Sequence, residues 1–217
     1  VPYRANGQVI PYGTQRPYPD NVDNGAGFRK AHDFLNGAPY VLYLGRVHEK
    51  KGLDLLIEAW KQWQPSTDQT ATTWQLIIAG PAGNADYEAC LTKKMAARLD
   101  IHRIGGVFGS TKWSALSGAT ALVLPSHQEN FGMVVAEALS VGTPVLLTKQ
   151  VNIWREVVDA DAGLAEDDTR GGILRLLTTM ETTVGSTTSR AVLSDNALAC
   201  YKQNFCVNKL GHAFKVV

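Results

Sequence analysis

From position 40 onward the chain alternates two kinds of pattern. Short unbroken apolar runs such as Tyr40-Val41-Leu42-Tyr43-Leu44 and Leu76-Ile77-Ile78-Ala79 end at Gly45 and Gly80. Runs of this kind, without polar alternation, suit strands buried on both faces of a parallel sheet. Between them, apolar residues recur every three or four positions. In 52–63, Leu53, Leu56, Ile57 and Trp60 share one face, while Asp54, Glu58 and Lys61 take the other, which is the stripe of an amphipathic helix. The pattern predicts strands at 40–44, 74–79, 104–108, 121–124, 144–148 and 163–165. It predicts helices at 52–63, 87–99, 112–118, 131–141, 153–158, 171–181 and 189–204.

Strands and helices alternating through short glycine-marked joints imply an α/β fold: a doubly wound, Rossmann-like parallel sheet of about six strands with helices on both faces. Such sheets bind ligands beyond the carboxyl ends of their strands. The loops after Leu44, Ala79, Phe108 and Leu124 are therefore the places to search. Residues 1–39, rich in Gly, Pro and Asn, lack the periodicity and read as a leading segment with a turn near Pro11-Tyr12-Gly13.

The stretch 125–144 is the densest in candidate chemistry. Gly142 followed by Pro144 is a strong helix stop. The helix before it is apolar on nearly every side, with Val134, Val135, Ala138, Leu139 and Val141, yet it carries Glu137. A lone buried carboxylate costs several kcal/mol unless something pairs with it. Helical side chains lean toward the N-terminus, so Glu137 is expected to point back toward the loop of Glu129 and Asn130, about 7.5 Å along the axis from Gly132. The helix start offers free N–H groups from Phe131, Gly132 and Met133 and the positive end of the helix dipole, which suits an anion. Two readings stay open for Glu137: acceptor of a nucleotide's ribose hydroxyls, or partner of an Arg or Lys in the core.

The loop after the first strand reads Gly45-Arg46-Val47-His48-Glu49-Lys50-Lys51-Gly52. Arg46 as a planar fork and Lys51 as a point charge could converge on a pyrophosphate; the alternative is an exposed basic turn. Gly80-Pro81-Ala82-Gly83 is not a dinucleotide fingerprint, and Gly80 reads equally as a tight turn or a ligand contact. His48 and His127 have no companion ligands at usable spacing, so they read as polar loop residues or substrate donors. Asp159-Ala160-Asp161 reads as a solvated turn, and no Gly-x-Ser-x-Gly elbow is present.

Composition narrows the classes. Of 217 residues, 45% are hydrophobic, enough for one core, and 21 basic against 20 acidic residues give a net charge of +1. That balance makes no case for nucleic acid or a general membrane surface as partner. Cys90, Cys200 and Cys206 are odd in number and lack Cys-x-x-Cys spacing, so neither a disulfide framework nor zinc is indicated, and a reducing cytoplasm is the default. No apolar run approaches a membrane span, no leader is evident, and the chain opens on Val1 as a fragment would.

Across residues 9–166 the chain resembles the C-terminal, nucleotide-sugar-binding domain of the retaining family 4 (group 1) glycosyltransferases, which have the GT-B fold. The resemblance is carried by Val9-Ile10-Pro11-Tyr12-Gly13, by Leu44-Gly45-Arg46 with Lys51-Gly52, by the Glu-x7-Glu spacing of Glu129 and Glu137, and by Gly142-Thr143-Pro144-Val145. It implies a linker at 1–39, a donor-binding domain at 40–217, and a separate N-terminal acceptor-binding domain outside the chain. It further implies that Arg46 and Lys51 hold the donor diphosphate and stabilise the leaving-group charge, with Glu129 beside the donor sugar. Gly45 and the N–H groups of Asn130, Phe131, Gly132 and Met133 would contact the donor, Glu137 its ribose, and Val107 and Phe108 its base. The donor would be a UDP- or GDP-sugar, the acceptor an unidentified glycan or lipid-linked sugar, as in polysaccharide biosynthesis. No cofactor or metal is expected, nor a nucleic-acid partner. The expected location is cytoplasmic, or peripheral at a membrane through the other domain. A binding module without catalysis is the alternative. Asn130 stands where many relatives have Gly, and 151–154 replaces a commoner Gly-Gly loop.

Overall fold

The computed structural model describes residues 12–17, 22–65, 73–96, 98–184 and 187–207. Its strands are β1 (Tyr40–Leu44), β2 (Gln75–Ala79), β3 (Ile101–Gly105), β4 (Ala121–Leu124), β5 (Val145–Thr148) and β6 (Gly163–Glu166). Its α-helices are α1 (Ala26–Ala31), α2 (Leu53–Gln62), α3 (Ala85–Met95), α4 (Gly109–Gly118), α5 (Met133–Ser140), α6 (Trp154–Asp159), α7 (Arg170–Val184) and α8 (Thr187–Cys200), the last running into a π-helical turn, Tyr201–Phe205. Among the described residues the strands form one sheet in the order β3-β2-β1-β4-β5-β6, with every pairing parallel. This is the predicted doubly wound fold.

The chain runs outward from β1 to β3, then returns through α4 to start again at β4 beside β1. Val41 lies opposite Ala121 and Leu42 opposite Leu122 at that junction. The reversal of direction leaves a crevice at the carboxyl ends of β1 and β4, because the loops leaving these neighbouring strands turn to opposite faces. Helices α2, α3 and α7 pack together on one side, and α1, α4, α5 and α8 on the other. β1, β2, β4 and β5 are buried along their whole length, as their continuous apolar runs require.

Two expectations are corrected. The third strand is Ile101–Gly105, not 104–108. It is an edge strand paired only with β2, so its polar residues His102 and Arg103 break the apolar run that marks the inner strands. The leading segment is also more ordered than its composition suggests. Phe28 of α1 and Leu35 of a following 3-10 turn are buried, and α1 packs on α4. Asp23 starts α1 by accepting from the N–H of Gly25 at 3.0 Å and of Gly27 at 2.6 Å. Ser114 of α4 accepts from the Phe28 N–H at 2.8 Å and donates to Asp23 at 3.0 Å. A polar side chain from α4 thus helps to hold a helix whose own sequence is a weak helix former. Residues 9–11 of the expected opening turn lie outside the described residues; Thr14 pairs with the far end of the chain, its N–H donating to Phe205 O at 2.9 Å.

Candidate functional site

The crevice is built by two loops that touch. Gly52 has φ +64, and a Cβ there would lie 2.0 Å from Pro125 O, so a side chain is excluded both by backbone conformation and by the β4 loop. The His127 N–H donates to Lys50 O at 2.9 Å and joins the same loops again. On the other side, a Cβ at Gly80 would lie 1.7 Å from Gly45 O, and one at Gly83 would lie 2.3 Å from Val47 O. The Val47 N–H donates to Pro81 O at 3.0 Å. Close approach of backbone to backbone accounts for Gly80, and the turn reading of that loop suffices for it.

Within this frame, Arg46, His48, Lys50, Lys51, Gln128, Glu129 and Asn130 line a polar cleft of about 280 Å³. The Arg46 side chain is exposed, while its carbonyl accepts from Tyr43 Oη at 2.8 Å. Burial pushes the Tyr43 phenol far above its ordinary pKa, so it stays a donor in this bond. Lys51 Nζ donates to Glu129 Oε2, both side chains about four-fifths buried. A 3-10 turn, Glu49–Lys51, sets Lys51 at its end, and His48 caps it by accepting from the Lys50 N–H at 3.1 Å. The sequence-predicted cations and Glu129 therefore do converge, with Asn130, on one opening.

The remaining candidates lie around it. Gly45 ends β1 against β2, its N–H donating to Ala79 O at 2.9 Å. Gly132, with φ +75, precedes α5 as its N-cap, so the helix starts at Met133 and not at 131. The Val135 N–H donates to the N-cap Gly132 O at 2.8 Å, which leaves the N–H groups of Met133 and Val134 without an intrahelical acceptor. Phe131 is half-buried between Tyr12 and Phe205, its ring 5.9 Å from one and 5.7 Å from the other. Val107 and Phe108 follow β3 rather than end it; Phe108, the residue before α4, is exposed.

Glu137 is engaged by a lysine of α4. Its Oε1 accepts from Lys112 Nζ of α4 at 2.8 Å, with 24% of the lysine and 18% of the glutamate side chain still exposed. The core ion pair that the sequence left open is thus present, though unsealed, and Glu137 lies outside the lining of the cleft. Sequence reasoning missed Lys112. The one available signal was a cation in the opening turns of a helix that follows a strand end. It also missed Asp168, which follows β6 and lies 2.8 Å from His127 Nδ1. Asp159 ends α6 and Asp161 lies in the turn that follows, both exposed, and among the described residues no group of His, Cys, Asp and Glu could hold a metal ion.

A parallel sheet with a switch point, a polar cleft at that point lined by Arg46, Lys50, Lys51 and Glu129, and a helix N-terminus nearby define a doubly wound α/β domain whose crevice suits an anionic ligand. Residues 27–171 match the family of glycosyl transferases group 1, and the chain belongs to that family. It is 26% identical to the D-inositol 3-phosphate glycosyltransferase of Acidothermus cellulolyticus over 74% of the chain and 37% of that protein. Among solved structures it resembles Anabaena Alr3699/HepE in complex with UDP-glucose (TM-score 0.77, 21% identity, 97% of this chain and 57% of that one). It also resembles the C-terminal domain of the glycosyl transferase group 1 family protein LpcC from Francisella tularensis (TM-score 0.68, 19% identity), covering 90% of this chain and all of that one. The chain spans well under two thirds of the curated relative and of HepE. Among the described residues no helix is long and apolar enough to cross a membrane.

Proposed function

We propose that this chain is the donor-binding part of a glycosyltransferase that moves a sugar from a nucleoside diphosphate-sugar to an acceptor with retention at the anomeric carbon. The observation that carries the reading is the convergence of Arg46, Lys51, Glu129 and Asn130 on one cleft at the switch point of the sheet. Arg46 and Lys51 hold the diphosphate and offset the charge that grows on it as the glycosidic bond breaks. Fixed cations aimed at developing charge are the strongest kind of electrostatic catalysis. Glu129, positioned by Lys51, accepts from hydroxyls of the donor sugar, and the N–H groups at the start of α5 face the phosphate. Glu137 accepts from the ribose and Phe108 borders the base. The cations in the cleft suffice for leaving-group charge, so no metal is assigned to the step.

A UDP- or GDP-sugar as donor is supported by the likeness to HepE, whose structure holds UDP-glucose. The acceptor, a glycan or lipid-linked sugar, belongs to a second domain that closes over the cleft. A cytoplasmic location, free or peripheral at a membrane, fits three cysteines that are all unbridged. Calorimetric titration of UDP and GDP into the chain tests the reading. Measurable binding that weakens about tenfold or more in Arg46→Ala or Lys51→Ala, the loss of a hydrogen bond to a charged group, is expected. Binding unaffected by either change overturns the assignment. In the full-length protein, nucleoside diphosphate should be released when an acceptor is present; no release with any acceptor speaks for a binding module, and release independent of acceptor speaks for transfer to water.

A further inference from the structure

We infer that Lys112 is a specificity-determining residue of the donor site, reading the ribose jointly with Glu137. The inference rests on the donor-site reading above and adds a residue from a different helix, with a chemical discrimination that follows from it. Phe108 and Lys112 are four residues apart at the start of α4, and Met133 and Glu137 are four apart at the start of α5. Residues so spaced share a helix face. The two helices pack on each other, and Phe108 and Met133 are 72% and 43% exposed. The Lys112–Glu137 pair therefore lies one turn below an open, largely apolar rim, at the level where a nucleotide entering between the two helix starts would place its pentose.

The chemistry of the pair fits a vicinal diol. Lys112 has three N–H donors and uses one on Glu137 at 2.8 Å. Its charge also rests over the Trp113 ring, 4.3 Å from the centroid, a contact that consumes no donor. Glu137 takes Lys112 on Oε1, leaving lone pairs on both oxygens. Donor-only and acceptor-only groups thus stand side by side, each with unused capacity and each partly exposed. A ribose presents two neighbouring hydroxyls: one donates to Glu137 while the other accepts from Lys112, and the ion pair need not break. A 2′-deoxyribose satisfies only one member. The other keeps only the ion pair and goes without the hydroxyl its spare hydrogen-bonding capacity would meet, a difference that a binding site turns into discrimination.

The test is calorimetric titration of UDP, 2′-deoxy-UDP, GDP and 2′-deoxy-GDP into the native chain and its Lys112→Met and Lys112→Arg variants. A Lys112→Met/Glu137→Gln double variant leaves no unpaired charge and so guards against a folding defect, with thermal unfolding as the control. The native chain is expected to prefer the ribonucleotide about tenfold or more, as one hydrogen bond to a charged group allows. Lys112→Arg should keep that preference, and Lys112→Met and the double variant should lose most of it. A Lys112→Met variant with the native ratio, or a native chain indifferent to the 2′-hydroxyl, overturns the role of Lys112 while leaving the donor site intact. A native chain that binds none of the four nucleotides overturns the donor-site reading, and this inference with it.

Discussion

The touching point of the two cleft loops can be probed by a pair of glycine substitutions. Gly52 and Gly37 both have positive φ, +64 and +79, but a Cβ at Gly52 would lie 2.0 Å from Pro125 O, whereas one at Gly37 would meet nothing within 4 Å. Alanine in the left-handed region costs about 1–2 kcal/mol at either site. The gain from stiffening the unfolded chain, about 0.4–1 kcal/mol, also applies to both and cancels in the comparison. What remains is the clash, which must separate the β1 and β4 loops and strain the His127 N–H to Lys50 O bond. Overpacking of this kind costs about 1–3 kcal/mol. At about 2–4 °C per kcal/mol for a chain of this size, Gly52→Ala should melt roughly 2–12 °C below Gly37→Ala. Because the separated loops carry Lys51 and Glu129, only Gly52→Ala should also weaken nucleoside diphosphate binding. Equal melting temperatures for the two variants, read by calorimetry or circular dichroism, would refute the loop contact on which the cleft is built.

Other consequences follow from polar groups away from the cleft. Asp23→Ala removes the acceptor that starts α1 and should cost about 1 kcal/mol, a melting shift of roughly 2–4 °C, with nucleotide affinity unchanged; no shift would show that α1 stands without its cap. Burial would raise the Asp100 carboxyl, but hydrogen bonds from Arg98 and Trp60 outweigh it and hold its pKa below the ordinary 3.8. A carboxylate depressed on folding contributes stability that is present above its unfolded value and lost as pH falls below it. Asp100→Asn should therefore flatten the acid side of the stability curve below about pH 4; an unchanged slope in acid urea titrations would contradict this. Burial lowers the His102 pKa in turn, beneath a Phe34 ring stacked 3.9 Å away. Its protonation favours the unfolded chain, so its contribution should fall as pH drops from about 6.5, and His102→Phe should remove that dependence.

How much of this was legible depended on whether the physical cause was local. β1 was bounded to the residue because five apolar positions between Pro39 and Gly45 leave no other reading, and β4 likewise. β3 was misplaced because an edge strand need not be apolar on both faces; His102 and Arg103 find partners in Gln75 and Glu88 instead. α1 escapes the sequence pattern because part of its support comes from Ser114, which binds Asp23 and the Phe28 N–H from 91 and 86 positions away. The site shows the same division. Arg46, Lys51, Glu129 and Asn130 sit in loops that any doubly wound sheet brings together; strand-end position singles out Arg46 and Lys51, while the roles of Glu129 and Asn130 come from the family resemblance. Glu137 was seen as a carboxylate needing a partner, but its partner Lys112 lies 25 positions earlier on another helix, and no spacing rule connects them. The sequence reads His127 as a polar loop residue or a substrate donor, and its partner Asp168 reaches it only through the position of β6.

The claim that everything else hangs on is that a nucleotide diphosphate occupies the crevice between the β1 and β4 loops and the starts of α4 and α5. Amide chemical-shift mapping of the isotope-labelled chain, titrated with UDP and with GDP, tests it residue by residue. Saturable shifts are expected at Gly45, Arg46 and Lys51, at Glu129 to Met133, and at Phe108 and Lys112, with little change at the β6 edge or around α1. Shifts concentrated elsewhere, or none at millimolar nucleotide, would contradict the account.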